Sequence, residues 1–351
     1  MTNDFTTELQ EIEYVLHNNL PNDCSYDWNL NTFGLLPECV TEKHISQLIE
    51  PGRSLLNLGG KRWRPLLLVL CAQAASGTEE APKSAYNIVP LVEFIHTASL
   101  IHDDIEDAAD TRRGAPAAHI TYGLDSALNA GSWMYFAASS CIANSGLSAE
   151  QQLLLHRLYA QELRRLHLGQ AMDISWHKDN TSVPSVAEYT AMVRLKTGTL
   201  ASLAAQAGTI AGGGTEAQAA QMGTAAADIG IGFQVLDDVI NLSTGNPGKK
   251  RGDDIVEGKK SLPIIMHLTS CPQDFDKIME CFKQARKEGI DSIAVEKCID
   301  IVESSNSIAE AKKLANLLIT ESCERTRQMY PNSPVPDKIT DLFTGMIKNN
   351  A

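Results

Sequence analysis

A formal net charge of −13 over 351 residues argues against nucleic acid and against an anionic membrane surface as partners. The hydrophobic share of 43% supports a sizeable core in one large or two ordinary domains, and the low aromatic share of 6%, with Ala, Leu and Ile abundant, favours helix. The polar first ten residues show no basic-then-apolar leader, no stretch is apolar and long enough to span a bilayer, and the eight cysteines form no CxxC pair; zinc and dithiol redox chemistry are therefore not suggested, and a reducing cytoplasm fits best.

Residues 1–40 read as an extension, with a helix over 6–18 and a loop over 21–37, where Asn, Asp, Gly and Pro gather. Residues 41–351 read as one continuous domain without a linker. Helical periodicity recurs over 61–75, 84–102, 126–143, 149–173, 185–211 and 217–241, with Gly or Pro in the breaks. Ser148 with Gln151 and Ser185 with Glu188 have capping-box spacing. Residues 275–348 predict two to four further helices. No strand-like alternation of useful length and no coiled-coil heptads occur. The expected fold class is all-α, a single bundle of about ten or more helices around a central cavity.

Two acidic clusters end apolar helical runs. In the first, Asp103, Asp104 and Asp107 lie at three- and four-residue spacings and share one helix face. The helix C-terminus disfavours negative charge, so a cation is needed to gather them, and a hard oxygen donor set suits Mg²⁺ bound together with substrate phosphates. In the second, Asp237 and Asp238 are followed by Asn241 at the offset of Asp107. Two such helix ends facing each other would form an acidic cavity for several metal ions. Basic segments surround them: Lys61 to Arg64, Arg112-Arg113, Arg194 to Lys196, Lys249-Lys250 and Lys259-Lys260. Carboxylates for metals and Lys and Arg for phosphates describe a diphosphate-handling site.

The motifs GGKRWRP, SLIHDDIED, RRG, GQAMD, KT, FQVLDD and GKKSLP, in that order over residues 59–263, resemble those of the trans-isoprenyl diphosphate synthases, the polyprenyl synthetase family. The resemblance implies the isoprenoid synthase fold, with 41–351 as the catalytic domain, and a homodimer. It implies that Asp103, Asp104 and Asp107 ligate Mg²⁺ at the allylic diphosphate, and that Asp237, Asp238 and Asn241 hold the remaining metal. Asn241 departs from the family's third Asp. By the same resemblance Lys61, Arg64, His96 and Arg113 bind isopentenyl diphosphate and Arg112 the allylic diphosphate. Lys196, Thr197 and Gln234 stand by the departing diphosphate and the carbocation, Lys259 closes on the allylic diphosphate, and Gln170 and Asp173 support the site.

The implied reaction is a head-to-tail condensation: the allylic C–O bond ionises, the isopentenyl double bond attacks the cation, and a proton is lost, with diphosphate itself as the expected base. Ala98 and Ser99, five and four residues before Asp103, are small where farnesyl-producing members often carry an aromatic stopper, so a linear product of twenty carbons or more is expected. Met134, Tyr135 and Phe136 are candidates for the tunnel floor, and His102 reads as structural or as a support behind the first acidic cluster. A class I terpene cyclase and a non-catalytic partner subunit are the alternatives. The cyclase would make Lys61, Arg64 and Arg113 superfluous, and the partner subunit would lose metal aspartates, of which only Asn241 deviates.

Overall fold

The structure, a computed structural model, describes residues 4–179, 181–245 and 250–349. Gly248 and Lys249 of the basic loop lie outside them. The all-α expectation holds: among the described residues the only strands are the two-residue pair Thr111–Arg112 and Ala115–Pro116. Two compact units divide the chain. The first runs to Ala160 and takes in Leu203–Ala220; the second comprises Gln161–Ser202 and Gln221 onward.

In the first unit, helix Trp63–Ser76 buries residues right round its circumference, Leu66 to Ala72 without interruption, as expected of a helix inside a core. Helix Pro90–Glu106 starts with Pro at its first position, where the missing N–H is not needed. It packs against helix Leu124–Ala138. Gly208 lies so close to the carbonyl of Leu68 that a Cβ would sit 2.0 Å from its oxygen, so only glycine permits this approach. The expected loop at 21–37 contains helix Tyr26–Phe33. Ser25 caps it by accepting from Trp28 N at 3.1 Å, and Phe33 stacks on Trp133 at 6.0 Å. The run expected at 84–102 is broken into Lys83–Asn87 and Pro90–Glu106 by the proline.

In the second unit, helices Phe275–Glu288 and Ile293–Glu303 pack as a hairpin whose core includes Ile278, Phe282, Val295, Cys298 and Ile299, with Ile255 and Ile264 from the preceding segment. The residue 275–348 region forms four helices, the last two being Ser307–Met329 and Val335–Asn349. Both predicted capping boxes form: Ser148 N donates to Gln151 at 3.1 Å and Gln151 N to Ser148 Oγ at 3.3 Å, and Ser185 and Glu188 exchange the same pair at 2.7 and 3.2 Å. No helix among the described residues is long and apolar enough to cross a membrane.

Candidate active site

The first acidic cluster occupies the last turn of helix Pro90–Glu106, with Asp107 as C-cap. Ala109 N donates to Asp104 O at 2.9 Å and Ala108 N to Ile105 O at 3.3 Å, the two bonds of a Schellman motif. The left-handed residue that closes it is Ala108, φ 52°, where glycine is usual. This cap fixes the backbone carrying the three carboxylates. Asp103 and Asp107 remain half-exposed while Asp104 is buried. Arg112 Nε donates to Asp104 Oδ1 at 2.7 Å, and its Nη2 lies 3.7 Å from Asp103. Burial pushes the Asp104 carboxyl above its usual range, opposed by Arg112 and reinforced by Asp103. Asp104 Oδ2 is buried without a hydrogen-bond partner.

Arg112 and Arg113 owe their placement to the strand pair. Arg112 pairs with Ala115, and the two-residue turn between them, Arg113-Gly114, has positive φ at both positions (53° and 77°), as in a type I′ turn. Arg113 Nη1 reaches the carbonyl of Gly59. Gly59 and Gly60, both at positive φ, lead into Lys61, which is exposed, and Arg62, which is not. Arg62 is consumed by structure: it bonds Glu13 Oε1 and Glu93 Oε1 at 2.7 Å each. Arg64 turns toward His96, Nη1 to Nε2 at 3.4 Å, and its Nε is buried without a partner. Burial lowers Arg64 to about 10 against the pull of Glu93. His96 is held neutral, its pKa well below the usual value, by burial and then by Arg64 and Arg113. Thus segment 59–64, helix Pro90–Glu106 and the Arg112-Arg113 turn bring Arg64, His96 and Arg113 into one cationic group, with Lys61 beside it in sequence. The buried Arg64 Nε–H left without a partner there suits an anion with several oxygens.

On the same helix Ala98 is fully buried and Ser99 half-buried, its hydroxyl donating to His96 O at 2.8 Å. His102 packs edge-on against Tyr135 at 5.4 Å, in line with its structural reading. Met134 and Tyr135 are buried, whereas Phe136 is 74% exposed, which removes it from the floor candidates.

In the second unit, Asp237 and Asp238 lie within helix Glu216–Ser243. Asp237 is exposed; Asp238 is 4% exposed and heavily engaged. Its Oδ2 accepts from Tyr189 Oη at 2.6 Å and Leu262 N at 2.9 Å, and its Oδ1 from Gln234 Nε2 at 3.3 Å. Burial pushes its carboxyl up to about 6 despite these donors. Gln234 Oε1 in turn accepts from Thr197 Oγ1 at 3.1 Å. Asn241 is buried, and its Oδ1 accepts from Asp254 N at 3.4 Å. Asp238, Asn241 and one oxygen of Asp104 are thus engaged by protein groups and buried, whereas Asp103 and Asp107 in the first unit are half-exposed and Asp237 in the second is exposed. Hard, half-exposed carboxylates a turn apart, beside a buried carboxylate with an orphaned oxygen, fit Mg²⁺.

Lys196 and Thr197 sit in a one-turn π-helix, Arg194–Gly198, a distortion often found at functional sites. Gly169 makes it possible: a Cβ there would lie 2.4 Å from Lys196 N. Lys196 Nζ contacts Asp173 Oδ2 at 2.6 Å, and His177 contacts Asp173 Oδ1 at 2.9 Å. Burial disfavours the Asp173 anion, but Lys196 and His177 outweigh it and hold the carboxyl well below its usual range. Lys259 pairs with Glu257, Lys260 donates to Asp179 O at 2.5 Å, and Lys250 pairs with Asp291 on the surface. Sequence reasoning missed Asp254: it is the second residue of helix Asp253–Glu257, and burial followed by its acidic neighbours, against Lys259, pushes its carboxyl well up. Its signal was an acidic pair one turn before the GK element.

The polyprenyl synthetase family model matches residues 45–302. A geranylfarnesyl diphosphate synthase of Aeropyrum pernix is 35% identical over 298 residues, covering 78% of this chain and 92% of its own. A geranylgeranyl diphosphate synthase of Sulfolobus acidocaldarius is 30% identical, covering 84% and 88%. The crystal structure of geranylgeranyl pyrophosphate synthetase from Pyrococcus horikoshii superposes with a TM-score of 0.82 at 26% identity, covering 98% of this chain and 97% of that one. On these matches and on the motifs placed above, the chain belongs to the polyprenyl synthetase family and has its all-α isoprenoid synthase fold.

Proposed function

We propose that the protein condenses isopentenyl diphosphate with an allylic diphosphate to give a linear prenyl diphosphate of twenty carbons or more. The observation that carries this is the pairing of two different sets of groups: carboxylates for a divalent metal, and a separate cationic group built from Arg64, His96 and Arg113 that a one-substrate cyclase would not need. In the first unit Asp103 and Asp107, with Asp104 beside them, would offer carboxylates to Mg²⁺, and in the second unit Asp237 would do so, with Asp238 and Asn241 beside it. When bound, the metal supplies positive charge to the leaving diphosphate.

Lys61, Arg64, His96 and Arg113 bind the diphosphate of isopentenyl diphosphate. His96 enters as a neutral imidazole, able to donate one hydrogen bond without adding charge. Arg112 binds the allylic diphosphate in exchange for part of its bond to Asp104. Lys196 and Lys259 neutralise the departing diphosphate, Gln170 supports them, and the Thr197–Gln234 dipoles stabilise the allylic cation. Exclusion of water protects that cation until the double bond attacks. Ala98 and Ser99 leave room along helix Pro90–Glu106 for a chain beyond fifteen carbons.

The dimer and the compartment belong to this reading. Leu124, Leu128 and Phe136, 53%, 47% and 74% exposed, recur at four- and eight-residue steps along one face of helix Leu124–Ala138, an apolar stripe suited to a second copy. All eight cysteines are unpaired, which fits the cytoplasm.

The test is incubation of purified protein with Mg²⁺, labelled isopentenyl diphosphate and geranyl or farnesyl diphosphate, with dephosphorylated products sized by mass. A discrete linear product of twenty carbons or more supports the reading. Consumption of the allylic substrate without incorporation of isopentenyl diphosphate refutes it in favour of a cyclase, and absence of all turnover in favour of a partner subunit.

A further inference from the structure

A second cluster of metal-ligating side chains lies away from the aspartate motifs, within the second unit. His267 and Cys271 are four residues apart, at the end of helix Leu262–Ser270 and its C-cap, and so face the same side. The turn Pro272–Asp274 then brings Asp274 back to them, at the start of helix Phe275–Glu288. Each of the three offers one donor atom, and these atoms all lie within 4.8 Å of one another. His267 is fully buried; Cys271 and Asp274 are partly buried.

The hydrogen bonds around His267 leave one nitrogen unexplained. Its Nδ1 lies 2.9 Å from Ser305 Oγ. The Ser305 hydroxyl has acceptors for its own single proton, Val302 O at 3.0 Å and Ser307 Oγ at 2.9 Å. With its proton on either of these, it accepts from His267 Nδ1–H, the tautomer assigned here, and the neutral ring then presents a bare lone pair at Nε2. That nitrogen is buried, has no hydrogen-bond partner, and stands 3.4 Å from Asp274 Oδ2. A lone pair facing a carboxylate oxygen at this distance is repulsive unless a cation lies between them. Two ligands on a tetrahedral zinc ion, with Zn–N and Zn–O bonds of about 2.0–2.2 Å, are separated by about 3.4 Å. Lys277 Nζ donates to Asp274 Oδ1 at 2.7 Å, so the outer carboxylate oxygen is anchored while Oδ2 faces inward. A ring N–H bonded behind one ligand and a cation anchoring the other are the usual supports of a metal site.

We propose that His267 Nε2, Cys271 Sγ and Asp274 Oδ2 form a binding site for Zn²⁺, distinct from the Mg²⁺ carboxylates, with water as the fourth ligand. A thiolate with an imidazole and one carboxylate selects Zn²⁺ over Mg²⁺. The ion would clasp the end of helix Leu262–Ser270 to the start of helix Phe275–Glu288. The first N–H of helix Leu262–Ser270 is the one that holds Asp238. The site escapes a search for paired cysteines because it has the spacing H-x₃-C-x₂-D.

The test uses the full chain, freed of metal by chelation, reduced, and kept in excess Mg²⁺ to occupy the all-carboxylate sites. Titration with Co²⁺ should give tetrahedral d–d bands and a thiolate charge-transfer band saturating at one equivalent and abolished by Zn²⁺. Cys271→Ser should lose the charge-transfer band, while Cys281→Ser, at a buried thiol elsewhere, should keep it. Independently of any variant, Zn²⁺ should slow alkylation of Cys271 in the unaltered protein by about tenfold or more, with the exposed Cys39 unaffected as the internal control. A missing charge-transfer band, a band that survives Cys271→Ser, or unslowed alkylation of Cys271 would overturn the proposal and leave a proton as the bridge between His267 and Asp274.

Discussion

Replacing Tyr189 by Phe isolates one bond at the second acidic motif. The hydroxyl lies 2.6 Å from Asp238 Oδ2, the ring is 2% exposed, and Phe keeps the ring, so no cavity opens. At pH 8 the Asp238 carboxyl, poised at about 6, is ionised, so the lost bond is charge-assisted and contributes about 2 kcal/mol. Leu262 N and Gln234 remain to share the charge, which keeps the loss below the roughly 3–5 kcal/mol of a broken buried ion pair. Tyr159 provides the comparison: its hydroxyl also donates over 2.6 Å, but to the neutral carbonyl of Tyr135, so Tyr159→Phe should lose only about 1 kcal/mol. Urea unfolding at pH 8 in chelator, with unchanged slope, measures both. Because Asp238 also orients the helix turn that carries Asp237, Tyr189→Phe should raise the Mg²⁺ concentration for half-maximal activity by about tenfold, and Tyr159→Phe should not. A stability loss for Tyr189→Phe no larger than that for Tyr159→Phe, or an unchanged Mg²⁺ requirement, would refute the assignment of Asp238 as a charged, hydroxyl-held support.

Ala98→Phe should cut the product to about fifteen carbons, read by mass of the dephosphorylated product; an unchanged chain length would remove helix Pro90–Glu106 from the tunnel wall. Ala108→Gly should stabilise by about 1 kcal/mol, since it relieves a left-handed alanine without removing a contact the fold needs; a neutral or destabilising result would show that the cap is not strained. His96 is neutral in the fold and protonates more readily once unfolded, so its contribution is present above about pH 6.5 and is lost as pH falls. Between pH 7.5 and 5.5 the unaltered protein should lose about 1.4 kcal/mol that His96→Gln does not, and parallel pH profiles would contradict this. Phe136→Lys should shift the protein toward monomer in sedimentation; an unaffected oligomer would place the interface elsewhere.

The helices were legible because their apolar periodicity and caps are local properties, as the Ser148 and Ser185 boxes demonstrate. Helix Tyr26–Phe33 was not, since its Asn and Asp read as loop and the Ser25 cap outweighs that composition only once Phe33 finds Trp133. The aspartate spacings gave the carboxylate faces, but not which members the fold consumes. That depends on Arg112, Tyr189 and the backbone of Asp254, which lie outside the aspartate motifs, Tyr189 49 positions before Asp238. The π-turn at Lys196 left only an indirect trace, Gly169, whose missing Cβ matters for a neighbour 27 positions away in sequence (196 − 169). The Schellman cap left none, because its left-handed residue is alanine.

The two-residue turn at Arg113-Gly114 makes this short stretch intolerant of length change. Neighbouring arginines, one ending a strand and one in a left-handed turn position, diverge, so Arg112 meets Asp104 and Arg113 meets the carbonyl of Gly59. Inserting or deleting a single residue would slip the register and turn the arginines away from their present partners. Drift in this part of the chain is therefore open to substitutions that keep the turn, and closed to insertions that elsewhere in a loop would pass unnoticed.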